Sequence, residues 1–435
     1  MTRDKPSLTV PLVVEEKQRL GCKLEDVETS YSDSTTGTTS SFKTVFHGLN
    51  ALSGVGILSI PYALSSGGWL SLVLLFVISI AALYSGLLIQ RCMDVDSNIR
   101  TYPDIGERAF GSKGRLLVSV VMYAELYLVA AGFLILEGDN LQSLFPNMVL
   151  EVAGFEIGAR QSFVIIVALI ILPTVLLDNM SILSYISASG VLASAIILVS
   201  IFWTGAFDGV GFKEKGTLLN WHGIPTAVSL YAFCYCAHPV FPTLYTSMKN
   251  KHQFSNVRNH HDSGVLIVCF VLCTLNYASM AALGYLMFGS NVQSQVTLSL
   301  PTHKLSSILA IYTALVNPIA KYALMVTPIV KVTKSWFPLS CNNRPLSLFI
   351  STAFVISNVT VALSVPFFGD LMSLVGAFLS MTAAIVLPCL CYMKISRAYR
   401  RCGFEMVVLV SVVLLGIAVV VSGTYTSLLQ IIGHL

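Results

Sequence analysis

Three ionisable side chains, Glu125, His238 and Lys321, lie in stretches of sequence that are otherwise almost wholly apolar. A carboxylate or ammonium held charged and unpaired in such surroundings costs about 3 kcal/mol or more. Each must therefore be neutral, paired or beside water, which makes each a candidate proton carrier as well as a candidate structural hydrogen-bonding group. Lys321 has two further options, pairing with Glu125 or standing in for a bound sodium ion. Glu137 and Asp370 fall near the ends of apolar segments, where water and headgroups reach, and are expected to be interfacial.

The peptide backbone offers a second kind of chemistry. The stretch Asn50-Ala51-Leu52-Ser53-Gly54-Val55-Gly56-Ile57-Leu58-Ser59-Ile60-Pro61-Tyr62 carries two glycines and a proline inside the first apolar segment. Such a segment resists winding as one helix. In hydrocarbon a break leaves N–H and C=O groups unpaired at several kcal/mol each unless protein, water or a ligand meets them. A half-helix starting near Ile57 presents N–H groups and one ending near Ser53 presents carbonyls, the complements of a carboxylate and an ammonium. The plainer alternative is a kinked span whose glycines admit a neighbouring helix. Cys234-Tyr235-Cys236-Ala237-His238-Pro239-Val240-Phe241-Pro242 repeats the oddity with two prolines and a histidine. Cys234, Ala237 and His238 then face the same candidate site as Asn50, Ser53, Gly54, Val55 and Gly56.

These segments must be positioned by a membrane protein. Hydrophobic residues make up 55% of the chain and charged residues 11%, against about 25% charged in soluble domains. Eleven spans are expected, at 43–66, 68–91, 115–137, 161–178, 181–206, 223–245, 264–288, 304–333, 346–365, 370–392 and 405–432. The broken segments are the first and sixth. Being five spans apart they run in opposite directions, the pattern of two inverted five-span repeats, 43–206 and 223–392, in a LeuT-like all-α fold with an extra helix at 405–432. Residues 1–42 form a polar, Ser- and Thr-rich tail, expected to be disordered, cytosolic and open to phosphorylation or to regulators.

Basic residues concentrate in alternate loops, which predicts a cytosolic N-terminus and a C-terminus on the opposite side. The net charge of +4 is scattered through short loops, so no nucleic-acid partner is expected. No cysteine falls in a predicted non-cytosolic loop, and Cys234-Tyr235-Cys236 lacks matching partners, so neither disulfides nor a metal site is expected. The sequons at Asn179 and Asn358 lie on the cytosolic side and inside a span, which predicts no glycosylation. Thr101 to Gly111 reads as a short amphipathic helix at the membrane surface, started by Pro103 and ended by Gly111. No His-Glu-x-x-His and no paired intramembrane aspartates occur, and His260-His261 sit in a loop, so an enzyme is not expected; nor is a repeated filter that would suit a channel.

The motifs NALSGVGILSIPYALSSGGW (50–69), TYPDIGERAFG (101–111), LEGDN (136–140), FPTLYTSMKN (241–250) and NPIAKYALMVTP (317–328), in this order, resemble the amino acid/auxin permease family and most of all its plant vacuolar amino acid transporter branch. The resemblance runs from about residue 42 to the end. It implies an eleven-span LeuT-like fold, proton-coupled transport of neutral amino acids and residence in the vacuolar membrane, with amino acid/proton antiport as the expected mode. It further implies that Asn50, Ser53, Gly54, Val55 and Gly56 cradle the substrate, and that Asn50 matches a position tied to ion coupling in sodium-dependent relatives. Where such relatives often read Gly-His-small, this chain has Ala237-His238-Pro239, a departure at the second break. Lys321, on a helix that lines the sodium site in LeuT-like transporters, argues for protons rather than sodium. An amino acid sensor, or a sodium-coupled or proton-symport transporter at another membrane, is the alternative.

Overall fold

The computed structural model describes residues 39–434 apart from 97, 149, 153–154, 177–179, 255–263, 338–343 and 398–402. Most of the expected tail, Asn179, His260, His261 and the cysteines Cys22, Cys341 and Cys402 lie outside the described residues. The chain is built almost wholly from helices, which satisfy their own backbone polar groups and so suit an apolar solvent. Among the described residues, nine helices are long and apolar enough to cross a membrane, and Ser41–Leu52 with Gly56–Gly67, bent by 52°, make a tenth as one broken span. Gly190–Ala206 is a shorter apolar helix, the later part of Met180–Ala206.

In chain order the helices are α1 (Ser41–Leu52), α2 (Gly56–Gly67), α3 (Ser71–Val95), α4 (Tyr102–Leu144), α5 (Ala159–Leu176), α6 (Met180–Ala206), α7 (Ile224–Cys234), α8 (Phe241–Ser247), α9 (Val265–Phe288), α10 (Leu305–Ser335), α11 (Arg344–Ser364), α12 (Phe368–Leu374), α13 (Leu387–Ile395) and α14 (Phe404–His434). One antiparallel hairpin, Leu150–Val152 with Phe155–Ile157, joins α4 to α5. At the centre, α2 packs on α7 and α9, while α10 packs on α6 and α4. Thr39, just before α1, pairs through its backbone with the end of α8: its N–H donates to Ser247 O at 3.2 Å and Lys249 N–H donates to its carbonyl at 3.1 Å. The start of the first broken span thus lies beside the end of the second, as opposite directions require.

Helix α4 absorbs both the surface helix and the third span. The two meet at Gly111, whose φ of 70° and ψ of −159° suit glycine almost alone. The Asp104 carboxylate accepts from the N–H of Thr101 at 2.8 Å and pairs with Arg115 at 3.1 Å, closing the turn on itself. The surface helix is docked on protein, since Tyr102 is buried and its hydroxyl donates to Ala383 O at 2.5 Å.

That acceptor belongs to an irregular span. Between α12 and α13 the chain takes two wide π turns, Val375–Ser380 and Thr382–Val386, a geometry that recurs at functional sites. Two sequence expectations are corrected at the opposite end of α4. Glu137 is fully buried and Asp370 nearly so, rather than interfacial. The segment around Gln295, the loop before α12 and the end of α14 cover them: Asn140, one turn from Glu137, reaches Gln295, and Asp370 is met by His434 Nδ1 at 2.9 Å. Because Gly111 alone lets α4 turn, Gly111→Val is expected to destabilise the folded protein by about 1–3 kcal/mol; a thermal-melting comparison in detergent checks this, and an unchanged midpoint would contradict it.

Candidate functional site

The first break spans Ser53, Gly54 and Val55. Pro61, expected to help open the chain, instead lies inside α2 and packs against Gly284, whose missing Cβ leaves the room. Among the freed carbonyls at the end of α1, those of Asn50, Leu52 and Ser53 are met by side chains. Lys321 Nζ donates to Asn50 O at 3.2 Å and to Ser53 O at 3.1 Å. Tyr277 Oη donates to Leu52 O at 2.5 Å. The Ser53 hydroxyl bonds that of Ser194 at 2.5 Å, and Ser194 in turn donates to Gly190 O at 3.1 Å. Gly190 is what allows this approach, because a Cβ there would strike Asn50 Oδ1 and lie 3.1 Å from Lys321 Nζ.

Within the second segment α7 ends at Cys234, Tyr235 to Ala237 are unwound, and a single 3₁₀ turn, His238–Val240, leads into α8. Pro239 and Pro242 sit in the first turns of their helices, where a missing N–H costs no intrahelical bond. The two breaks touch. A Cβ on Gly56 would lie 2.7 Å from Cys234 Sγ and 3.2 Å from its Cα, and Tyr277 Oη, already on Leu52 O, is also 3.3 Å from Cys234 O. Gly54 differs: nothing stands within 4 Å of where its Cβ would be. Among the glycines of the cradle, then, Gly54 faces space and Gly56 serves the approach of the two segments.

The three ionisable groups separate. Glu125 is buried and meets Cys236 Sγ at 2.7 Å and the Ser380 hydroxyl at 2.5 Å, which ties the unwound stretch of the second break to the π turn of Val375–Ser380. Lys321 is bonded to carbonyls of the first break, so the two do not form the pair considered from sequence. His238 is turned away into α3, its Nε2 2.9 Å from Ala82 O and 2.8 Å from the Ser85 hydroxyl, with Phe241 against the ring. Pro239 and the 3₁₀ turn hold the ring on that side. Ala237 is buried in the core, as is Cys234. Among the described residues no group of three or more His, Cys, Asp or Glu side chains is arranged to hold a metal.

Residues 37–429 match the family model described as transmembrane amino acid transporter protein. The chain belongs to this family. It is 58% identical to amino acid transporter AVT1J of Arabidopsis thaliana over the whole length of both chains, and 58% identical to AVT1I of the same plant over 91% of this chain and 96% of that one. A more distant relative, the vesicular GABA transporter of Caenorhabditis elegans, is 25% identical over 88% of this chain and 78% of its own. Among solved structures, a Na⁺-coupled sialic acid symporter superposes with a TM-score of 0.50 at 11% identity, covering 95% of this chain and 96% of that one. The manganese transporter of Eremococcus coleocola gives 0.51 at 11%, covering 91% and 98%. This amino acid transporter therefore has the LeuT-like fold expected from its two broken spans.

Tyr277, Ser194 and Ser380 complete the site and carried no signal in the sequence, since a lone Tyr or Ser in an apolar helix has no distinguishing period. In this transporter a methyl group at Gly56 is expected to overpack the contact with Cys234, at a cost of about 1–3 kcal/mol. Gly54→Ala is expected to cost less than about 0.5 kcal/mol. Melting curves of the two variants decide, and equal losses would contradict the geometry.

Proposed function

We propose that the chain is a proton-coupled secondary transporter of neutral amino acids, working by alternating access across the vacuolar membrane as an amino acid/proton antiporter. The observation that carries the reading is the Lys321 ammonium seated on the carbonyls of Asn50 and Ser53. A fixed cation on those oxygens fills a place where a mobile sodium ion would otherwise be held, and leaves coupling to proton chemistry. Among the described residues the amides of Val55 and Gly56 have no backbone acceptor, at the start of α2, where the helix dipole favours a carboxylate. The substrate's carboxylate binds there. Lys321, seated on this break, is already committed to carbonyls and is not offered to an acidic substrate side chain, which supports selection against acidic amino acids.

Glu125 is the coupling carboxyl. Its bonds reach Cys236 in the second break and Ser380 in the π turn, so gain or loss of its proton changes how these two segments are held together. The vacuolar setting is supported by the likeness to the plant vacuolar branch, and an acidic lumen gives the antiport its driving force.

Purified protein in sealed vesicles tests the reading. With an imposed pH gradient and sodium-free buffers, a neutral amino acid such as alanine should accumulate, and replacing potassium with sodium should change the rate by less than about twofold. Glu125→Gln should flatten the dependence of flux on pH, and Lys321→Met should abolish accumulation. Accumulation that requires sodium, or that persists unchanged in both variants, would overturn the reading.

A further inference from the structure

At the end of α4 away from the tail, a chain of hydrogen bonds has a direction that is fixed at one end. Arg160 Nε donates to Asp139 Oδ1 at 2.5 Å while its Nη2 donates to Pro366 O at 2.7 Å. The second carboxylate oxygen, Asp139 Oδ2, accepts from Gln295 Nε2 at 3.0 Å. A carboxylate only accepts, so the Gln295 amide must turn its nitrogen to Asp139 and its oxygen to Asn140. Asn140 must then donate, and its Nδ2 does so to Gln295 Oε1 at 2.5 Å and to Leu136 O at 2.8 Å. Both hydrogens of the Asn140 amide are spent.

What remains is Asn140 Oδ1, buried and without a donor among the described residues. Glu137 stands three residues earlier on the same helix, within side-chain reach. It is fully buried, and neither of its carboxyl oxygens has a partner among the described residues. Three buried acceptor oxygens one turn apart, with no donor among the described residues, are an unfavourable arrangement. One hydrogen resolves the conflict, since a Glu137 carboxylic acid can give its O–H to Asn140 Oδ1. The charged groups nearby do not supply that hydrogen. Asp139 and Arg160 of α5 pair with each other, Asp370 of α12 is paired with His434 of α14, and Lys304 stands at the start of α10.

We propose that Glu137 and Asn140 form a second proton site of this transporter, distinct from Glu125, in which the proton sits on a Glu137 carboxyl oxygen and is hydrogen-bonded to Asn140 Oδ1. In the conformation described the proton stays on Glu137; when alternating access opens this end of α4 to water, release leaves a Glu137 carboxylate hydrated by that water and passes the proton to it, and uptake reverses the step. The inference rests on the proton-coupled reading above, but the site itself can be observed without transport.

The test uses the full chain in vesicles. In infrared difference spectra the wild type should show a buried carboxylic-acid C=O band that Glu137→Gln removes and Glu125→Gln leaves in place. In Glu137→Gln the new amide can donate to Asn140 Oδ1, so amino acid counterflow should stay within about twofold of wild type while substrate-driven proton movement, read by an entrapped pH dye, falls at least about tenfold. A band unchanged by Glu137→Gln, or proton movement at the wild-type level, overturns the proposal. If Glu137→Gln fails to fold, Glu137→Asp decides: a shifted band supports the site, and the absence of any band that depends on residue 137 refutes it. A wild type that moves no protons but shows the Glu137 band would defeat the coupling mechanism and leave the site standing.

Discussion

A helix cut open in the middle of an apolar slab exposes peptide groups that nothing in the solvent can satisfy, and most of this structure can be understood as the answer to that problem. Asn50 O, Leu52 O and Ser53 O are each claimed by a side chain from another helix, Lys321 from α10 and Tyr277 from α9. Those claims tie the break to α9 and α10. They also explain why a buried ammonium is tolerated: carbonyl oxygens on two sides replace part of its hydration. On the N–H side of the same break, the amides of Val55 and Gly56 have no backbone acceptor among the described residues.

The second break is organised by the first. Cys234 closes against Gly56, Tyr277 reaches carbonyls of both segments, and Cys236 hands the contact on to Glu125 and the π turn at Ser380. A change of hydrogen bonding at Glu125 thus has a short physical route to the unwound stretch beside the first break. The π geometry matters here because it breaks the regular i to i−4 ladder next to the carboxyl, leaving that span locally easier to rearrange than an α-helix.

Much of this was legible in the chain itself. Gly54, Gly56, Pro239 and Pro242 mark the interruptions, and their offset of five spans, an odd number, sets their opposite directions. The membrane class follows from composition, and Gly111 marks the kink in α4. Other features were not legible. Pro61 looks like a helix breaker but continues α2, because packing against Gly284 outweighs one lost hydrogen bond. Gly54 and Gly56 are the same letter, and only the approach of Cys234 tells them apart. His238 looked like a site residue because it stands at a break, yet the direction of its side chain depends on the 3₁₀ turn. Glu137 and Asp370 were placed near water by their distance along the chain, whereas the covering segments from Gln295 and His434 come from far away in sequence. Tertiary cover of this kind leaves no local pattern.

The most direct test of the account is a cryo-electron microscopy map of the full chain with a bound neutral amino acid. The account predicts both segments open at Ser53–Val55 and Tyr235–Ala237, with ligand density against the amides of Val55 and Gly56 and the Lys321 ammonium still on the Asn50 and Ser53 carbonyls. Ligand density elsewhere, with either segment wound continuously through the break, would contradict it.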